Sequence, residues 1–203
     1  EITIIAVTKT FSAEIWKLVL NQKLTTIGES RIQETKNKIN DSNCRKQIEL
    51  HLIGHLQGNK AKMAIKMFDV IQTIDSIKLL KRINMISQQE NKKQKIFFQV
   101  NTGKDPQKHG FTEKEAYTAA EQTTEMSNVD LKGIMTIPPN GISENKLCNI
   151  YKNTRQIRDK IQNTIQNSCK LLSMGMSHDF EIAIKEGATH VRIGTALFGQ
   201  RNN

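Results

Sequence analysis

The chain has 203 residues, a formal net charge of +10 and an isoelectric point near 9.6, the length of one domain able to bury a core. No apolar run approaches the roughly 18 residues of a membrane span and no charged-then-apolar leader precedes the first apolar run, while Cys44, Cys148 and Cys169 form no CxxC pair and leave an odd number, which excludes a disulfide framework or zinc ribbon and points to a soluble, cytoplasmic protein. The basic balance raises nucleic acid as a partner, but the lysines are spread along the chain and no aromatic platform accompanies them, so no nucleic acid is expected.

The first apolar stretch, Ile2 to Thr10, is rich in Ile, Val and Thr with little alternation, as in a strand buried on both faces of a parallel sheet. It ends at Lys9, placing an amine at a strand's carboxyl end, where α/β folds keep their chemistry. The plain alternative is a lysine snorkelling into solvent. Ser12 and Glu14 suit the first turn of a helix carrying Ile15, Trp16, Leu18 and Val19. A second strand over Thr25 to Gly28 stops at the polar group Glu29, Ser30 and Arg31, and a helix covers Ile32 to Ile39. A third strand, Glu49 to Gly54, precedes His55, Gln57, Gly58, Asn59 and Lys60 and a helix over Ala61 to Met67. His51 and His55 straddle that strand end and lack an HExxH glutamate, so no metal site is expected from them.

Asp69 to Ile74 gives a fourth strand, with Asp75 and Ser76 as caps for a helix carrying Ile77, Leu80, Ile83 and Ile86. Lys95 to Asn101 is the fifth, opening into a long loop, Thr102 to Gly110, of the kind that often belongs to a site. Thr112 and Glu115 have the spacing of a capping box. Leu131 to Ile137 is the sixth, stopped by Pro138 to Gly141, and the helix beyond shows a stripe of Leu147, Ile150, Tyr151, Thr154, Ile157, Ile161 and Ile165. Cys169 to Met174 is the seventh, with Ser177 as N-cap of a helix over His178 to Lys185. Thr189 to Ile193 is the eighth, with Gly194 and Thr195 opening a last short helix. Eight strands alternating with helices predict a single α/β domain over residues 1 to 203, a (β/α)8 TIM-type barrel, with a doubly wound open sheet as the alternative.

In such barrels the loops after strands seven and eight commonly hold phosphate on backbone N–H groups. Here they read SMGMS, with Ser173, Gly175 and Ser177, and RIGT, with Arg192, Gly194 and Thr195. A lysine amine on one side of the mouth and a phosphate site on the other is what pyridoxal phosphate requires. An unperturbed lysine has a pKa of about 10.4, so the site must lower it, and Arg192 is a candidate cation for that. The chain contains no GxSxG, P-loop or GxGxxG.

The motifs AVTKT, IGESRIQE, HLIGHLQGNK, QVNTGKDPQKHGF, LKGIMTIPP and LSMGMSHDFEIAIKEGATHVRIGTALFGQR occur in this order from Ile2 to Arg201. Together they resemble the pyridoxal phosphate homeostasis protein family. The resemblance implies one barrel like the N-terminal domain of alanine racemase, which carries pyridoxal 5′-phosphate as an internal aldimine and has no established turnover. It implies that Lys9 is the aldimine lysine, that Ser177, Gly194 and Thr195 hold the phosphate, that Arg192 faces the pyridine nitrogen, and that Ser30 and Asn59 belong to the cofactor site. An arginine there keeps that nitrogen unprotonated and weakens the ring as an electron sink, which suits storage. The implied role is a non-catalytic, monomeric carrier or buffer, with apo pyridoxal-phosphate enzymes as recipients. The alternative is an amino-acid racemase, which needs a second base that this chain's Tyr117 and Tyr151, outside every motif, do not offer. Three features depart from the family pattern. Ser30 stands where the family has the asparagine of FGEN, His55 and Gly58 stand at the variant positions of HFIGPLQSNK, and the family's N-terminal helix is absent or missing before Ile2.

Overall fold

Runs of β-branched and apolar residues become eight strands in the structure, a computed structural model describing residues 1–199. The strands are β1 (Thr3–Val7), β2 (Thr26–Glu29), β3 (Glu49–Leu52), β4 (Val70–Ile74), β5 (Gln94–Gln99), β6 (Val129–Met135), β7 (Leu171–Met176) and β8 (His190–Ile193). Each pairs with the next in parallel, and β1 also pairs with β8 from Thr3 opposite His190 to Ala6 opposite Ile193. That last ladder closes the barrel and eliminates the open doubly wound sheet. The final motif residues, Gln200 and Arg201, lie outside the described residues.

The helices are α1 (Ile15–Asn21), α2 (Ile32–Asp41), α3 (Ala61–Met67), α4 (Ile77–Gln89), α5 (Glu113–Thr123), α6 (Glu144–Thr164), α7 (Phe180–Lys185) and α8 (Thr195–Phe198). Their apolar stripes face the barrel, as periodicity requires. In α6, Leu147, Ile150, Tyr151, Thr154, Ile157 and Ile161 are all buried. Thr112 and Glu115 form the reciprocal capping box of α5, and the Ser76 hydroxyl accepts from Leu79 N at the start of α4. Leu18 departs from the pattern, standing 59% exposed on α1. No helix of the described residues is long and apolar enough to cross a membrane.

Side-chain alternation along the strands separates two environments. Leu50, Ile71, Ile96, Phe98, Ile134, Leu172 and Val191 belong to the large core between strands and helices, whereas Val70, Phe97 and Met135 form a small cluster inside the barrel with Ile137 and Leu171. Ile5 and Ile53 add apolar surface beside Gly28, and a polar chain runs through the same interior. Arg192 donates to Ser173 Oγ at 2.9 Å, Ser173 Oγ donates to Gln72 Oε1 at 2.6 Å, and Gln72 Nε2 lies 2.7 Å from His51 Nδ1. His51 Nε2 is 3.3 Å from Glu49 Oε2, off the alignment of a hydrogen bond. These contacts run as one polar line from Arg192 on β8 to Glu49 at the start of β3.

His190 stands beside that line, with Nδ1 2.8 Å from Thr189 Oγ1 and its ring 6.2 Å from that of His51. Burial lowers its pKa to about 4, with His51 and Arg192 pushing the same way against Glu49. A depressed basic group favours the fold above its unfolded pKa of about 6.5 and loses that contribution as pH falls toward the folded value. Urea unfolding should show a loss of about 3 kcal/mol between pH 7 and pH 4 from this group. In His190→Gln that loss should shrink by most of this amount, and an unchanged pH slope would remove His190 as its source.

Candidate functional site

Lys9 lies two residues beyond β1, half-buried, and the peptide groups on either side of it are held by α2. Lys38 Nζ donates to Thr8 O at 2.7 Å, and Thr10 N donates to Glu34 Oε1. Thr10 takes the left-handed φ of 72°, a conformation that costs a threonine free energy and needs such support. Lys38 is itself fixed by Glu29 at 2.7 Å and Glu34 at 3.0 Å. Burial would raise the pKa of Glu34, but the Thr10 N–H and the Lys38 ammonium outweigh it and hold the carboxyl below its usual value.

Sequence reasoning grouped Glu29 with the polar strand end, but it is fully buried as the last residue of β2. There its Oε1 accepts from Thr8 Oγ1 at 2.6 Å, and Trp16 Nε1 of α1 donates to the same Thr8 hydroxyl at 3.2 Å. A polar cluster between the barrel and its helices thus fixes the backbone that carries Lys9. Glu34 closes the IGESRIQE stretch and Lys38 lies beyond it, but nothing in their spacing points to this role.

On the far side of the mouth, Gly194 N and Ala196 N both donate to Ser177 Oγ at 3.2 Å. Two backbone N–H groups from the loop after β8 thus converge on one hydroxyl from the loop after β7. The spacing had suggested Ser177 as an N-cap. It caps nothing on α7, which starts at Phe180 with Asp179 in the cap position; instead it ties the β7 loop to the β8 loop. Gly175 makes that path possible, since its φ is 91° and an added Cβ would stand 2.6 Å from Ala183 Cβ.

Arg192, on β8, is 4% exposed and donates to Thr136 O at 2.8 Å as well as to Ser173. Burial lowers its pKa to about 10, partly offset by Tyr151 and Asp179, so it remains a cation at neutral pH. Lys9, Ser30, Ser177, Arg192, Gly194 and Thr195 line one cavity of about 290 Å3, with Val7, Ile53, Ile137 and Met176 as its apolar walls. Ser30 is held by close packing: a Cβ on Gly54 would fall 2.2 Å from Ser30 O. Asn140 and His178 also line the cavity; the sequence marked them only as turn and helix start.

Asn59 is not with these six. It lines a separate depression of about 390 Å3 with His55, Gly58, Asp75, Lys78 and Arg82, among others. The 3-10 turn at Gly58–Lys60 that leads into α3 carries it there.

A parallel barrel whose mouth presents a lysine at the first strand and converging N–H and hydroxyl groups at the last two belongs to a recognisable class. The profile described as "Alanine racemase, N-terminal domain" matches residues 2–202, and the chain belongs to that family. Within it, the chain is 36% identical over 198 residues to the pyridoxal phosphate homeostasis protein of Aquifex aeolicus, covering 98% of this chain and 86% of that one. It is 33% identical to the protein of the same name from Vibrio alginolyticus, covering 99% and 87%. Among solved structures, PipY of Synechococcus elongatus without PLP superposes with a TM-score of 0.94 at 32% identity, covering 98% of this chain and 93% of that chain. PipY with PLP bound gives 0.91 at 31%, covering 98% and 92%. Alanine racemase of Clostridium difficile gives 0.80 at 18% identity, a likeness of fold alone.

Proposed function

We propose that this protein binds pyridoxal 5′-phosphate in the Lys9 cavity and serves intracellular pyridoxal phosphate homeostasis as a carrier that does not turn over substrate. The observation that carries this reading is the convergence of Lys9, Ser177, Gly194, Thr195 and Arg192 on one space. At about 290 Å3 that space sits at the small end of ligand cavities, which begin near 300 Å3. An amine, N–H donors for a dianion and apolar walls for a flat ring fit this cofactor. When bound, the cofactor supplies an aldehyde for Lys9 and a phosphate for the loops after β7 and β8. Lys9 would supply the nucleophilic amine, Ser177, Gly194 and Thr195 would hold the phosphate, and Arg192, a cation at neutral pH, would stand beside the ring without giving its nitrogen a proton.

A carrier rather than a racemase is supported by where the tyrosines lie. Tyr151 OH donates to Asp179 Oδ2 at 2.9 Å and Tyr117 OH to Glu113 Oε1 at 2.8 Å, and neither residue lines the cavity. Burial pushes the Tyr151 hydroxyl well above its usual range, and Tyr117 to about 12, so neither is poised as a base. Amino-acid α-proton exchange at enzyme-like rates would contradict the carrier reading. Cytoplasmic residence fits the three free cysteines, two of them buried, and monomeric action with apoenzymes as recipients completes the reading.

The phosphate assignment is tested by Ser177→Ala combined with Thr195→Val. Each lost hydrogen bond to a charged group is worth about 1.5–3 kcal/mol, so pyridoxal phosphate should weaken by that scale while pyridoxal is nearly unchanged. Equal weakening of both ligands would take the phosphate away from these loops.

A further inference from the structure

His55, Asp75 and His109 come from three different loops, after β3, β4 and β5, yet their ligand atoms all lie within 4.8 Å of one another. His55 Nδ1 is 3.2 Å and His109 Nδ1 is 3.8 Å from the same atom, Asp75 Oδ2. The two imidazoles stack with centroids 3.9 Å apart and planes 14° from parallel. In both rings Nδ1 is the nitrogen near that one carboxylate oxygen. Their backbones are held by buried side chains: Gln99 Nε2 donates to His109 O at 2.8 Å, and Thr73 Oγ1 donates to Gly54 O, just before His55, at 2.8 Å. Asp75 follows β4 directly and is 11% exposed.

We propose that His55, Asp75 and His109 form a binding site for one divalent transition-metal ion on the barrel rim, distinct from the Lys9 cavity. Two imidazole nitrogens and a carboxylate are a donor set suited to zinc and its neighbours, with a fourth position left to water. Bonds of about 2.0–2.2 Å in the plane of each imidazole require the stacked rings to turn out of parallel so that both Nδ1 lone pairs meet at one point, and His109, 61% exposed on the loop, is the member free to turn. The bound ion would pin the Thr102 to Gly110 loop to the loops after β3 and β4, giving that long connection a fixed position. It would also stand at the edge of the depression lined by His55, Asp75, Lys78 and Arg82. The His51 and His55 spacing concealed this site, because His51 is committed to the barrel interior and the real second histidine is far along the chain.

The test uses untagged full-length protein without added cofactor, titrated with Zn2+ against a chromophoric chelator, with thermal melting recorded in parallel. One equivalent should bind and raise the melting temperature. Asp75→Asn and His109→Ala should each weaken binding by about tenfold or more, and His109→Ala should leave the metal-free melting temperature unchanged. The proposal is overturned if no stoichiometric binding is seen, if binding survives both substitutions, or if it is lost instead in Cys148→Ser. Since the titration omits pyridoxal phosphate, its outcome is independent of the Lys9 assignment.

Discussion

Lys9→Ala should abolish covalent loading with pyridoxal phosphate outright while leaving the barrel folded. Borohydride converts a lysine-bound aldehyde into a stable secondary amine, so reduced wild-type protein should carry one cofactor mass on the peptide containing Lys9. The variant should carry none. The expectation rests on position: Lys9 lines the cavity together with Ser177, whereas Lys60, Lys104 and Lys108, the other lysines in motif loops, are absent from its walls. Folding should survive because Lys9 is half-buried beyond the end of β1, where a truncated lysine costs about 1 kcal/mol or less. A cofactor mass recovered on Lys60, Lys104 or Lys108 in the variant would show the reactive amine to be elsewhere.

The difference between Lys9 and the rest of the site in legibility has a physical origin. Lys9, Arg192, Gly194 and Thr195 are readable in the sequence because each sits at or just past a strand whose β-branched run announces it, and in a closed parallel barrel all such ends meet at one mouth. The bridging contact of Ser177 was not legible, since a serine before a helix has the same local signature whether it caps or bridges to another loop. Its partners, Gly194 N and Ala196 N, lie on the next strand's loop and leave no mark at that spacing. Asn59 stands apart for a related reason: a motif match places a residue among others in sequence, but the 3-10 turn at Gly58–Lys60 sets it on a different depression. Burial of charge was the least visible feature. Nothing local separates Lys38, 4% exposed on an otherwise polar helix, from the solvated lysines around it, because its partner Glu29 is reached only when β2 and α2 pack.

That buried pair sets the largest expected effect on stability. Glu29 is fully buried, its Oε2 has no hydrogen-bond partner, and Lys38 Nζ at 2.7 Å is its salt-bridge partner. Removing one member of a buried ion pair leaves an uncompensated charge and costs about 3–5 kcal/mol, whereas truncating a solvated helix lysine changes stability by roughly 0.5 kcal/mol or less. Lys38→Met keeps the aliphatic length and deletes only the ammonium, so urea unfolding of the apo protein should show a loss in the larger range. Glu29→Gln introduced with Lys38→Met removes the stranded charge while retaining an acceptor for Thr8 Oγ1, and should recover most of the loss. The double variant should nevertheless remain impaired at the site. Thr8 O loses the donor that fixes the peptide before Lys9, and Glu34 keeps Thr10 N but loses the ammonium that holds its own carboxylate. Covalent loading measured well below the melting transition should therefore be slower in the restored double variant than in wild type. Restored stability together with wild-type loading would reduce Lys38 to a packing residue, and a single-variant cost under about 1 kcal/mol would mean that the Glu29 charge is compensated by something other than this lysine.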